Sequence, residues 1–276
     1  MSIDFVKITD SVDAYNFHSH TQFCDGRATM EEMVKAAVAS GLKHWGFTPH
    51  SPILFPSPCN MKQEDVDVYL NEVERLKGVY GDVINLYASM EIDYIGPEWG
   101  PANDYFQQLP LDYRIGSVHF IPSDSGMVDV DGKVESFKRK MHEFFHDDIR
   151  YVVHTFYDQS EKMLQAGGFD IIGHFDKIGY NASCYSPGIE DEPWYRDCVN
   201  NLIDLIIEKD VVVEINTKAW VQSRRIFPKE CNLKRLADNN VRIIVDSDAH
   251  YTEKVNEGRS YGLSLIEKYF RTNKTN

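Results

Sequence analysis

The feature that most constrains this chain is a regular alternation of short apolar runs with amphipathic runs of helical length, from residue 14 to residue 271. The apolar runs cover residues 14–17, 43–48, 83–91, 113–121, 169–174, 211–216 and 242–247. Runs such as Val211-Val212-Val213-Glu214-Ile215 are almost continuously apolar, as parallel strands covered on both faces must be. The helical runs span 29–40, 64–79, 134–165 (read as two helices), 193–209, 228–239 and 264–271. Thr29 offers an N-cap to the first of these and Gly41 a stop. No repeat, low-complexity tract or Gly/Ser linker interrupts the series. Seven strand–helix units in unbroken order predict an α/β fold with one closed or nearly closed barrel. With 42% apolar residues the chain can bury the core of one such unit, so residues 1–276 are read as a single domain.

Metal-binding residue types gather in these runs, mostly at their ends. Seven of the ten histidines lie there. His18-Ser19-His20 follows the first run, and side chains two apart in an extended chain leave on the same side. Both imidazoles can therefore hold one ion. Asp248 and His250 repeat the spacing at the last run, and the first and last strands of a barrel are neighbours. Glu91 ends the third run and is read as a carboxylate bridging two ions, whereas Asp93 is read as a solvated strand end. Asp25 and His50 can supply a further ion together with His250. His119 and His174 each end a strand after a small residue; for either alone, a hydrogen-bonded core histidine is an equal reading. Strand ends that form one rim converge, so the set points to a site holding several metals.

The formal charge of −14 argues against nucleic acid or an anionic membrane as partner. Cys24, Cys59, Cys184, Cys198 and Cys231 form no CxxC pair and suit a reducing compartment, with Cys24 read as a small buried residue. Met1-Ser2-Ile3-Asp4-Phe5 has no signal-peptide pattern, and no run approaches the ~18–20 apolar residues of a membrane span. A soluble, cytoplasmic protein is expected. There is no GxSxG, P-loop or GxGxxG to support acyl transfer, NTP hydrolysis or hydride transfer. His142-Glu143-Phe144-Phe145-His146 does satisfy H-E-x-x-H, the zinc-protease signature. Phe144 and Phe145 with Val134, Phe137, Met141 and Ile149 define a packing face that leaves both of its histidines in solvent, and the motif leaves the other histidines unexplained.

Together, His18-Ser19-His20-Thr21 with Asp25-Gly26, Thr48-Pro49-His50, Glu91, Gly116-Ser117-Val118-His119, Gly173-His174 and Ser247-Asp248-Ala249-His250 resemble the polymerase-and-histidinol-phosphatase (PHP) superfamily. The match keeps the family's order from residue 18 to residue 250. Residues 166–176 and Glu214-Ile215-Asn216-Thr217 are most similar to its stand-alone histidinol-phosphate phosphatases. Two positions depart from the common pattern: Asp25 stands where many members have histidine, and Pro49 where many have aspartate. The resemblance implies a distorted (βα)7 TIM-like barrel, one PHP-type metallophosphoesterase unit over residues 1–276. It also implies a trinuclear centre of divalent zinc, manganese or iron ions. Carried over residue by residue, the first ion takes His18, His20, Glu91 and Asp248. The second takes Glu91, His119 and His174, and the third Asp25, His50 and His250.

By formal counting such a centre keeps a surplus of about three positive charges, which can hold a phosphate dianion. A metal-bridging hydroxide, available because coordination lowers the pKa of water to about 7, is expected to attack phosphorus in line. Asp248, His250 and His154 are the candidate catalytic residues, His154 as phosphate ligand or as acid to the leaving alcohol. Lys218 and Arg225 are candidates to grip non-bridging oxygens, and Trp99, Phe23 and Tyr157 to stack on an imidazole. The implied reaction is hydrolysis of L-histidinol phosphate to L-histidinol and phosphate, in histidine biosynthesis, so the partner is a small phosphate ester. Two alternatives stay open: another small phosphate ester such as a nucleotide, and a non-catalytic metal-binding regulatory domain. No motif sets the oligomeric state.

Overall fold

In the computed structural model, which describes residues 3–271, the alternation forms two parallel sheets wrapped by helices. Met1 and Ser2 of the N-terminal stretch, and residues 272–276 of the expected 1–276 unit, lie outside the described residues. The strands are β1 (Tyr15–Asn16), β2 (His44–Phe47), β3 (Asn85–Ala88), β4 (Glu91–Asp93), β5 (Ile115–Ser117), β6 (Phe120–Ser123), β7 (Gly126–Asp129), β8 (Ile171–Ile172), β9 (Val212–Asn216) and β10 (Ile243–Asp246). The helices are α1 (Phe5–Ser11), α2 (Met30–Ala39), α3 (Val66–Tyr80), α4 (Asp104–Gln108), α5 (Val134–Phe144), α6 (Ile149–Ala166), α7 (Ile178–Tyr185), α8 (Pro193–Lys209), α9 (Trp220–Ser223), α10 (Glu230–Asp238) and α11 (Arg259–Ile266). Among the described residues no helix is long and apolar enough to cross a membrane.

One sheet has the order β1-β2-β3 and the other β10-β9-β8-β5-β4, all neighbours parallel. Two single bridges join them: Ser19 with Ala249, beyond β1 and β10, and His50 with Glu91, beyond β2. The expected closed barrel is thus seen as two parallel arcs and not as one continuous ladder.

Local chemistry accounts for most boundaries. Thr29 and Glu32 form a reciprocal capping box at the start of α2, and Pro193 opens α8 where no amide is needed. The long 134–165 run divides because His146 and Asp147 adopt φ of 50° and 61°, after which Asp148 caps α6. The expected strand 83–91 bends at Ser89, where the Tyr69 hydroxyl lies 2.6 Å from the Ser89 carbonyl and 3.1 Å from its amide. Its first half pairs with β2 and its second with β5. The run 113–121 also divides, and its tail joins an antiparallel ribbon with β7 that the apolar pattern does not predict. The 264–271 run is the end of a helix that begins earlier, after Gly258 at φ 71°.

Phe5 of α1 meets Phe17 and Tyr113 edge-on (5.1 and 5.4 Å), and with Ile115, Ile171, Val212 and Ile244 they form an apolar cluster on the N-terminal side of the strands. Met33, Val34, Val73 and Leu76 of α2 and α3 pack with Trp45 and Phe47 of β2. Val152 and Val153 of α6 and Leu202 and Ile206 of α8 pack on the other side. Each such burial contributes about 1.5–3 kcal/mol. The walls are therefore largely apolar, and many of the buried polar residues, among them His18, His20, Glu91, His119, His174 and Asp248, stand at or just beyond the C-terminal ends of strands.

Candidate metal centre

His18 and His20 leave the chain just beyond β1 and are fully buried. Their Nε2 atoms lie 3.2 and 3.5 Å from Glu91 Oε2, and His50 Nδ1 lies 3.1 Å from the same oxygen. Glu91 Oε1 faces the other way, 2.8 Å from His174 Nε2 and 3.4 Å from His119 Nε2. Asp248 Oδ1 stands 3.1 Å from His20 Nε2. Asp25 Oδ1 is 3.2 Å from His250 Nε2, and 3.9 Å from both His50 Nε2 and His20 Nδ1. The nine residues that the family pattern singles out therefore converge on one region.

The backbone is shaped to bring them there. A Cβ on Gly26 would fall 2.3 Å from the Thr21 amide nitrogen, so only glycine lets the loop fold back and set Asp25 beside His20. A Cβ on Gly173 would lie 2.6 Å from Ser117 Oγ, the hydroxyl that donates to Glu91 Oε1 at 2.7 Å. Asp248 itself sits at φ 50°, a conformation costly for a non-glycine residue and concentrated at functional sites.

Four overlapping groups have ligand atoms within 4.8 Å of one another: His20, Asp25, His50 and His250; His18, His20 and Glu91; His50, Asp93 and His119; Glu91, His119 and His174. His18 Nε2, His20 Nε2, Asp25 Oδ1 and Glu91 Oε2 are buried without a hydrogen-bond partner. Buried polar atoms are nearly always satisfied, so four orphans in this one region fit divalent cations, and imidazole with carboxylate is the donor set zinc, manganese and iron accept. The opposite ring nitrogens are held: His18 Nδ1 lies 2.7 Å from Glu214 Oε1 and His119 Nδ1 2.7 Å from Asp93 Oδ1, which presents each Nε2 to the centre.

Charge follows the same division. Burial pushes the Glu91, Asp25 and Asp248 carboxyls up, but neighbouring imidazoles, and Lys218 beside Asp248, outweigh it and hold all three well below the usual range. Burial lowers His20, His50 and His174. For His18 and His119 the carboxylates overcome burial, chiefly Glu214 for His18 and Asp93 for His119; both rise, His119 to about 9.

Asp25, His50, His119, Asp248 and His250 border a cleft of about 640 Å³. Lys218 reaches it, its Nζ 3.3 Å from both Asp248 Oδ1 and His250 Nε2. Two other candidates do not. Arg225 is absent from the cleft lining, because Glu190 binds its guanidinium through two hydrogen bonds of 2.7 and 3.0 Å. His154 lies exposed on α6, stacked on Trp194 at 5.0 Å, so its expected roles as phosphate ligand and acid are also withdrawn. His142 and His146 are 84% and 82% exposed, and α5 ends at Phe144, so they share no helix face and make no protease site. Trp99, Phe23 and Tyr157 pack on Tyr105, Tyr69 and Tyr195; Phe120, Tyr180, Phe227 and Tyr251 line the cleft instead. Asp93, expected in solvent, is buried against His119. Sequence reasoning gave no role to Glu214, although a single charge inside an apolar strand was a signal, nor to Lys177, for which no pattern stood out.

Parallel strands whose C-terminal ends carry this donor set around a cleft define a PHP-domain protein; the PHP domain model matches residues 16–218, and the chain belongs to that family. It is 25% identical over 272 residues to a Schizosaccharomyces pombe protein named "Probable histidinol-phosphatase", covering 91% of this chain and 85% of the relative. It is 22% identical to the histidinol-phosphatase of Bacillus subtilis, covering 84% and 92%. Its fold matches the crystal structure of a Lactococcus lactis histidinol phosphate phosphatase complexed with zinc, L-histidinol and phosphate, with TM-score 0.67, 19% identity and coverage of 93% and 94%.

Proposed function

We propose that this protein is a metal-dependent phosphomonoesterase that hydrolyses L-histidinol phosphate to L-histidinol and inorganic phosphate, a step of histidine biosynthesis. The observation that carries this reading is Glu91, whose two oxygens face separate imidazole groups beside three other unpartnered buried donor atoms. The names of the relatives supply the substrate.

Three ions fit the donor groups: one among His18, His20, Glu91 and Asp248, one among Glu91, His119 and His174, and one among Asp25, His50 and His250. Ions bound there would lower the pKa of coordinated water and neutralise charge on the phosphoryl group. The chain's own residues do the rest. Glu214 and Asp93 fix the His18 and His119 rings, and Ser117 orients Glu91. Lys218, beside Asp248 and His250, binds a non-bridging phosphoryl oxygen, and Phe120, Tyr180, Phe227 and Tyr251 give the imidazole end of the substrate an apolar wall. The two arcs act as one distorted (βα)7 barrel, a reading supported by the bridges Ser19–Ala249 and His50–Glu91. The whole chain works as one unit in the cytoplasm.

The test is a panel of phosphomonoesters assayed with protein of measured metal content. L-Histidinol phosphate is expected to give the highest kcat/KM, lost on chelation and restored by metal, with one 18O from labelled water in phosphate and none in the alcohol. Equal kcat/KM across the panel would remove the substrate claim.

A further inference from the structure

We infer that Lys177 binds the substrate's phosphoryl group together with Lys218, and that Asp131 competes with the substrate for its ammonium; this rests on the phosphomonoesterase reading above. Lys177 follows β8, three residues past His174, and lines the cleft although its side chain is only 13% exposed. Its Nζ lies 2.7 Å from Asp131 Oδ2 and 4.0 Å from Asp248 Oδ2, while Lys218 Nζ lies 3.3 Å from Asp248 Oδ1. Two ammonium groups thus flank the two oxygens of one carboxylate at the edge of the cleft.

A buried ammonium needs a counter-charge. Asp248 supplies part of it from 4.0 Å, but a cation held by Asp248 would offset that charge. Lys177 and Lys218 then face the cleft with Asp131 as the nearest remaining carboxylate of the set. A phosphate dianion restores the balance and offers separate oxygens to the two lysines, the charge-assisted contact that ammonium makes with phosphate. Asp131 is not needed as a tether for this loop. Asn181 Nδ2 already lies 3.2 and 3.3 Å from the carbonyls of Val130 and Gly132, tying the segment after β7 to α7. Asp129, the other acid of the segment, is occupied by Lys140 at 3.0 Å.

The test is calorimetric titration of inorganic phosphate into metal-loaded protein, with metal content and circular dichroism recorded for each variant. Lys177→Met is expected to weaken phosphate binding about 10–100-fold at native metal content, and Lys177→Arg to recover most of it. Asp131→Asn is expected to shift affinity the opposite way, because the competing carboxylate is gone. Phosphate affinity within about twofold of native for Lys177→Met, or equal weakening by both variants, would overturn the inference and leave the pair a structural tie. If Lys177→Met does not fold, Lys177→Gln replaces it and the sign of Asp131→Asn decides. Native protein that hydrolyses histidinol phosphate while Lys177→Met binds phosphate normally defeats this inference alone. Native protein that hydrolyses no phosphomonoester, yet binds phosphate through Lys177, defeats the enzymatic reading instead.

Discussion

Glu214 holds His18 and His174 at once: its Oε1 lies 2.7 Å from His18 Nδ1, and its Oε2 accepts the His174 backbone amide at 2.9 Å. One carboxylate thereby sets the ring of one metal-ligand candidate and the chain position of another. Glu214→Gln keeps the shape but weakens the hold on the His18 ring. Metal affinity, measured by chelator competition, is expected to fall about 10–100-fold. Unchanged affinity would reduce Glu214 to a core polar residue.

Glu91→Gln is expected to abolish turnover and to lose metal from two positions together, because the two oxygens of Glu91 face different imidazole groups. Elemental analysis decides: a full metal complement in the variant contradicts the bridging assignment.

Lys218 and Arg225 should separate cleanly. Lys218→Met is expected to raise KM about tenfold with little change in Tm, since its ammonium faces the cleft. Arg225→Met leaves the largely buried Glu190 with Lys229 as its remaining cation among the described contacts, and is expected to cost on the order of 2 kcal/mol of stability. Thermal denaturation and steady-state kinetics of the two variants check the pairing.

Metal uptake should expel protons. In the metal-free protein His119 titrates at about 9 and His18 is also raised, so both carry protons at neutral pH that a cation must displace. Apparent metal affinity is therefore expected to rise with pH from 6 toward about 9. Calorimetry at pH 7 in buffers of different ionisation enthalpy should report proton release. Metal uptake without any release would mean that His18 and His119 are already neutral in the metal-free protein.

His142→Ala and His146→Ala are expected to leave metal content and activity unchanged and stability within about 0.5 kcal/mol, as exposed positions do. A large loss of zinc in either would restore the H-E-x-x-H reading.

The residues readable in the sequence are those whose role depends on local geometry. His18 with His20, and Asp248 with His250, show themselves because alternation in an extended chain is a two-residue property, and α8 because Pro193 opens an amphipathic run. Residues whose role depends on a distant partner do not. Arg225 and Lys177 are both basic residues downstream of strands; what removes one from the cleft and keeps the other there is the position of Glu190 and Asp131, far away in the chain. Asp93 is two residues from Glu91 and looks like a solvated end until His119 closes over it. The ribbon of β6 and β7 is hidden because its first strand continues the apolar run of β5.

The two arcs meet at two seams, and the metal-binding candidates straddle both: His18 and His20 stand opposite Asp248 and His250 at one, while His50 and Glu91 are bridge partners at the other. Cations held as proposed would act as rivets along seams where the strand ladder narrows to single bridges. The enzyme's rigidity would then be borrowed from its surroundings, and a cell short of metal would hold a looser protein as well as a slower one.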